Sequence, residues 1–115
     1  MINGIRPLPP QKDYDKALNN LLSGINENFR NWGRGKLSRE DMVLEIRPGR
    51  KFDKIVERNR VWGFVAKKDG VHEGLPMKVG DVFKAATFKA AAKHTRGNIF
   101  DDNQDYYTWT GPNYL

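Results

Sequence analysis

Apolar residues recur at three- and four-residue steps through residues 13–32, and polar residues fill the positions between them. Asp13 stands where a side chain can cap a helix start, and Gly33 follows the last apolar position, where helix ends favour glycine. Gly24 inside the segment costs about 1 kcal/mol relative to alanine, and it is either tolerated or permits close packing. The spacing predicts an amphipathic helix whose buried stripe contains Tyr14, Ala17, Leu18, Leu21, Leu22, Ile25, Phe29 and Trp32.

Beyond this helix the period changes to two, which is typical of half-buried strands. Turn-forming residues separate the runs, and we expect Gly49 and Asn59 to take left-handed conformations in two of these turns. The segment 67–76 reads as a polar loop, and the Gly80–Asp81 pair as a turn that leads into a strand. Strands are therefore predicted within 38–47, 51–57, 61–67, 78–85 and 105–110, with Trp62, Phe64 and Ala66 on one face of the third.

Short connections between these strands favour pairing between neighbours in the chain. A single helix can bury its apolar stripe against one face of such a sheet. The sequence therefore predicts an α+β domain over residues 13–115, with one N-terminal amphipathic helix packed on a curled antiparallel β-meander of four to five strands. Residues 1–12, which contain three prolines, are expected to form an extended N-terminal arm.

Charge is distributed unevenly along the 115 residues, whose net charge is +6. Residues 30–60 carry ten basic and five acidic groups, residues 78–96 carry five basic and one acidic, and residues 97–115 carry three acidic and no basic groups. Two basic blocks and an acidic tail favour an anionic partner, although such charge can also serve solubility alone.

Other features of the composition restrict the class of protein. There is no cysteine, so a disulfide framework and a cysteine-based zinc site are excluded. No apolar run approaches the roughly 20 residues needed to span a bilayer, and the N-terminus lacks a signal-peptide core. We therefore expect a cytoplasmic protein that makes no membrane contact.

The structure and role of the segment 84–101, KAATFKAAAKHTRGNIFD, are the main question that the sequence raises. As a short helix it would bring Lys89, Lys93 and Arg96 within about 40° of one another, with Phe88 anchored in the core. The result would be either a ridge that grips phosphates or a solvated face. The sequence does not decide between these alternatives.

The segment 51–100, with KIVERNRVWGFVAKKDG and GDVFKAATFKAAAKHTRGNIFD, resembles a group of small uncharacterised bacteriophage proteins. In those relatives the position of Phe88 is usually tryptophan and that of Ala91 is proline. A proline there would forbid a long helix, so the resemblance offers an ordered loop with one helical turn as another interpretation of the segment. It implies a phage origin and no mechanism.

Enzyme chemistry is not indicated. His72 and His94 lack carboxylate partners at motif spacing, and the acidic stretch FDDNQD lacks the central glycine and terminal glutamate of a calcium loop. No phosphate-cradling glycine loop or nucleophile elbow is present. We expect no catalysis, no metal and no cofactor.

Two function classes remain open. The first is a small phage accessory protein that binds nucleic acid through Arg47, Arg50, Lys51, Arg58, Arg60, Lys84, Lys89, Lys93, His94 and Arg96. The second is a modulator of a host or phage protein, which would use the aromatic C-terminal residues Tyr106, Tyr107, Trp109 and Tyr114. Aromatic residues supply stacking platforms to single-strand binders, but in a short chain they more often fill the core.

Overall fold

The amphipathic segment forms one helix, α1, which spans Gln11–Gly33. The computed structural model of the protein describes residues 10–33 and 42–113. The Pro10 carbonyl accepts hydrogen bonds from the backbone N–H groups of Asp13 and Tyr14, at 2.9 and 3.1 Å. Asp13 therefore lies in the first turn, where its charge suits the helix dipole, and its expected capping role is wrong. Residues 11 and 12 of the expected arm belong to the helix, and residues 1–9 lie outside the described residues.

The strands that follow build an α+β fold, as the sequence predicts. The largest sheet is antiparallel and has five strands in the order β1-β2-β3-β6-β7. Two hairpins, β4 with β5 and β8 with β9, form small sheets of their own. The strands are β1 Leu44–Pro48, β2 Phe52–Glu57, β3 Arg60–Ala66, β4 Gly70–His72, β5 Leu75–Met77, β6 Asp81–Ala85, β7 Ala91–Asn98, β8 Tyr107–Thr108 and β9 Gly111–Pro112.

The helix stripe packs on one face of the five-stranded sheet. Leu18, Leu21 and Ile25 are buried against side chains of β2, β3 and β6, including Trp62. Fully burying an aliphatic side chain of this size contributes about 1.5–3 kcal/mol, so we expect this layer to contribute a large part of the stability. Trp32 departs from the predicted stripe, because 64% of its surface is exposed.

A β-bulge changes which side chains of β3 point toward the helix. Ile55 pairs with Gly63 while Val56 pairs with Val61, so Trp62 has no residue opposite it. The extra residue reverses the alternation. Trp62 consequently packs on the helix side, whereas Phe64 and Ala66 belong to the opposite cluster. The expectation that these three side chains share one face is wrong for this reason.

The opposite face of the sheet carries a second cluster, centred on Phe64 and Phe83. The segment 67–76, expected to be a loop, contributes the β4–β5 hairpin to this side. Its two central residues, Glu73 and Gly74, have φ values of 53° and 81°, as a two-residue hairpin turn requires. The hairpin places the buried His72 ring 5.0 Å from that of Phe83.

Most of the alanine-rich segment forms a strand, so the short helix and the ordered loop with one helical turn, the two interpretations of this segment, are both wrong. Residues 91–98 pair with β6, with register shifts on either side of Phe83. Ala91 is buried, and a small side chain fits against the aromatic cluster there. The helical ridge of cations is therefore absent. The fifth strand of the sheet is this one, and the predicted strand at 105–110 contributes instead to the separate β8–β9 hairpin.

The turns confirm one of three expectations. Gly80 has a φ of 90°, and the Asp81 carboxylate accepts the Lys78 backbone N–H at 2.9 Å, which fixes the Gly-Asp turn before β6. In the β2–β3 turn, Arg58 with a φ of 58° takes the left-handed position expected for Asn59. Gly49 does not have a positive φ.

Candidate functional site

Five basic side chains line one open cleft on the sheet face opposite α1. Its volume is about 330 Å³, and Phe52 and Phe64 supply apolar lining. Its cations come from the β1–β2 hairpin, from β2 itself and from the β6–β7 turn: Arg47, Arg50, Lys51, Lys54 and Lys89. Four of these five residues are among the nucleic-acid contacts predicted from the sequence, and the fold brings them together from both basic blocks.

The wall formed by the β1–β2 turn is fixed by backbone contacts. Gly49 N–H donates to the Phe52 carbonyl at 2.8 Å. Lys67 Nζ donates to the Gly49 carbonyl at 2.9 Å, and Lys51 Nζ donates to the Val71 carbonyl at 2.7 Å. The turn is thus tied to the end of β3 and to the β4–β5 hairpin, which fixes the backbone that carries Arg47 and Arg50 at the cleft.

The opposite wall is the tight turn between β6 and β7. Ala86 N–H donates to the Ala90 carbonyl at 2.8 Å, and Thr87 Oγ1 accepts the Lys89 backbone N–H at 3.1 Å. Phe88 at the tip is 45% exposed, so the expectation that it anchors the segment in the core is wrong. Lys54 Nζ lies 4.2 Å from the centre of its ring, at cation–π distance.

The charge of the cleft is largely uncompensated. Arg47 pairs with Glu45 at 3.3 Å, and both side chains are about half exposed, so the pair contributes little. Within residues 10–33 and 42–113, no carboxylate lies at ion-pair distance from Arg50, Lys54 or Lys89. Like charges gathered over an apolar wall raise the local concentration of anions.

Three of the other predicted contacts hold the C-terminal segment, and none of the three lines the cleft. Arg60 donates to the Thr110 carbonyl at 2.8 Å, Lys84 to the Pro112 carbonyl at 2.7 Å and Arg96 to the Asn113 carbonyl at 2.7 Å. We call these three side chains the C-terminal clasp, because they hold the β8–β9 segment. Partial burial, and then the neighbouring Arg96, lower the pKa of Lys84.

The remaining predicted contacts lie apart from the cleft. Lys93 and His94 border a smaller pocket of about 180 Å³ beside His72 and Phe83. Arg58 lies at the far end of β2, about 17 Å from the β1–β2 turn at 3.3 Å per residue, and contacts Glu57 at 3.4 Å. The ten predicted residues therefore divide into a cleft, a clasp and isolated charges.

The aromatic residues of the alternative hypothesis mostly face the helix-side core. Tyr106, Tyr107 and Trp109 are partly buried and pack against it. The backbone N–H of Trp109 donates to Asn28 Oδ1 at 2.8 Å, and the Trp109 ring lies 4.9 Å from that of the exposed Trp32. Tyr114 lies outside the described residues.

Sequence reasoning missed Lys54 and misplaced Phe88. Lys54 falls in a predicted strand, in alternation with the buried Asp53 and Ile55, so its direction could have been inferred from the period of two. The proximity of Lys54 to Phe88 could not have been inferred from the sequence, since that contact depends on how the β6–β7 hairpin curls over the sheet.

Comparison with other proteins supplies a family and no activity. No curated protein matches the chain, and no solved structure does. Among the described residues, no helix has both the length and the apolar character that crossing a membrane would require. The model of one family matches residues 11–114. The chain therefore belongs to the family of unknown function DUF7717.

Proposed function

We propose that this protein binds nucleic acid through the basic cleft, without catalysis, as a small bacteriophage accessory protein acting in the host bacterial cytoplasm. The observation that carries the proposal is the meeting of Arg47, Arg50, Lys51, Lys54 and Lys89 around one open cleft. Resemblance of residues 51–100 to small phage proteins supports the origin and the location.

The chemistry of the cleft suits a phosphate backbone. Arginine and lysine donate hydrogen bonds to phosphate oxygens, and each neutralised phosphate releases condensed counterions. Arg50 and Lys89 are exposed and face no carboxylate among the described residues, so a phosphate gains their full attraction without breaking an internal pair. The cleft is also open to solvent, so a chain-like ligand can enter it.

The direct test is fluorescence anisotropy with short labelled DNA and RNA across a salt series. Affinity should fall as salt rises, by roughly 0.7 log units per contact on single strands and 0.9 on duplex DNA for each log unit of salt. Three to five contacts give a slope of about −2 to −4.5. Absence of binding at low salt would refute the proposal.

An alternative is a modulator that binds a host or phage protein, and the exposed Trp32 beside Trp109 supports it. Tryptophan is enriched among residues that dominate protein interfaces. Under this alternative, exchange of Trp32 for lysine abolishes the biological effect and cleft substitutions preserve it. The nucleic-acid proposal predicts the reverse.

A further inference from the structure

Phe88 offers an exposed ring at the mouth of the basic cleft. It lies between Thr87 and the cleft-lining Lys89, at the tip of the β6–β7 turn. The other phenylalanines near the cleft, Phe52 and Phe64, are partly or fully buried. Phe88 is thus the most exposed ring of this group, at 45%, and a base would stack on the face that Lys54 Nζ does not cover.

The ring is also held in position before any ligand arrives. Lys54 Nζ lies over it at 4.2 Å from its centre, and the attraction between ammonium and ring face restrains both groups. The hydrogen bonds from Ala86 to Ala90 and from Lys89 to Thr87 fix the backbone on either side. A preorganised aromatic side chain loses little conformational freedom on binding.

Building on the proposed function, we infer that the cleft takes single-stranded nucleic acid, with an unpaired base stacked on Phe88 and the flanking phosphates on Arg47, Arg50 and Lys89. Base–aromatic stacking is the sequence-tolerant contact of single-strand binders, which combine it with a basic groove. In a duplex the base faces are stacked on one another, so Phe88 would have no base to receive.

The inference is tested with three labelled probes of about 10 nucleotides, a length within the range of small single-strand binding sites. The probes are a single strand with bases, an abasic strand with the same number of phosphates, and a duplex. Phe88→Ala should weaken binding of the base-bearing strand about tenfold, which is at the lower end of measured stacking contributions. It should leave the abasic strand and the duplex unchanged.

Two further variants make the result specific. Phe88→Tyr keeps an aromatic ring and should retain the affinity of the wild type. Lys89→Ala should weaken binding of all three probes, because it removes a phosphate contact and no stacking surface. Both residues are exposed, and melting temperatures of all variants should stay within a few degrees of the wild type.

The outcomes separate this inference from the proposed function. If Phe88→Ala weakens all three probes equally, or none, the single-strand inference is wrong while the basic cleft remains a nucleic-acid site. If the wild type binds the duplex as tightly as the base-bearing strand, the inference is wrong as well. If the wild type binds no probe, the proposed function itself fails.

Discussion

The phenol of Tyr107 occupies the space that a side chain at Gly24 would need. A Cβ built on Gly24 would overlap Tyr107 Oη and stand 3.2 Å from Cζ. The Tyr107 ring is confined in turn, at 5.8 Å from Trp62 and 5.1 Å from Tyr106. The absence of a side chain at Gly24 therefore allows the β8–β9 hairpin to pack closely against α1. Of the two interpretations of this glycine, the close-packing one is correct.

Gly24→Ala should lower the free energy of unfolding by about 1 kcal/mol. The helix gains about 1 kcal/mol from alanine, but overpacking against the confined ring costs about 1–3 kcal/mol. In a Tyr107→Ala background the same change should stabilise the protein by about 1 kcal/mol, because only the helix propensity remains. Chemical denaturation of the four proteins checks this, and an equal effect in both backgrounds would contradict the packing role.

Leu21→Ala should lower the free energy of unfolding by about 2–5 kcal/mol, the usual cost of truncating a buried leucine. Leu21 is 2% exposed in the helix-side core. Leu75→Ala is the matched control, since 36% of Leu75 is exposed, and its cost should be clearly smaller. Denaturation midpoints measure both, and similar losses would mean that the α1 stripe does not carry the stability assigned to it.

Stability should fall in alkali as pH rises above the ordinary tyrosine pKa of 10.0. Burial, followed by the hydrogen bond to Asp53, raises the pKa of Tyr14, whose hydroxyl lies 2.8 Å from Asp53 Oδ2. Burial also raises the pKa of Tyr106 and of Tyr107. Below pH 10 both states keep these protons, whereas above it the unfolded chain releases them first and is favoured.

Thermal unfolding at a series of alkaline pH values measures this loss, and tyrosinate absorbance should rise together with unfolding. Tyr14→Phe is the informative variant. It should cost about 1–3 kcal/mol near neutral pH, since it leaves the buried Asp53 without that donor, and it should make the alkaline decline shallower. An unchanged alkaline profile in this variant would exclude Tyr14 as a source of the decline.

Loss of Arg96, one of the three side chains of the C-terminal clasp, should loosen residues 107–113. Arg96→Ala removes the donor to the Asn113 carbonyl, and a hydrogen bond of this kind contributes about 1 kcal/mol. Amide hydrogen exchange should accelerate in this segment and stay unchanged in α1. Lys93→Ala, on the same strand but exposed, is the control; equal exchange in both variants would show that Arg96 does not hold the tail.

The sequence predicts those parts of the fold that depend on local periodicity. The helix from Gln11 to Gly33 and the strand Phe52–Glu57 follow from spacings of three to four and of two. The direction of Trp62 does not, because one unpaired residue in the β3 ladder reverses the alternation. Strand β7 is not predicted either, because its alanine and lysine residues have helical spacing. Its conformation is decided by pairing with β6 and by burial of Ala91.

The residues of the candidate site could likewise be predicted only in part from the sequence. Charge alone indicates two basic blocks, but it does not distinguish Lys89, which lines the cleft, from Arg96, which holds a backbone carbonyl. That difference is tertiary, since it follows from the path of the β6–β7 hairpin across the sheet. Only the three-dimensional arrangement of the two strands distinguishes cations that line the cleft from those that hold the C-terminal backbone.

The most direct test of the cleft compares two triple variants with equal loss of charge. The cleft variant replaces Arg47, Arg50 and Lys89 with alanine. The control variant replaces three exposed residues that do not line the cleft, Lys12, Lys16 and Arg58, with alanine. We predict that the cleft variant flattens the salt dependence of nucleic-acid binding by about 2–3 log units per log unit of salt, while the control variant keeps the slope of the wild type and both remain folded. Equal slopes in the two variants would show that net charge, and not the cleft, binds the nucleic acid.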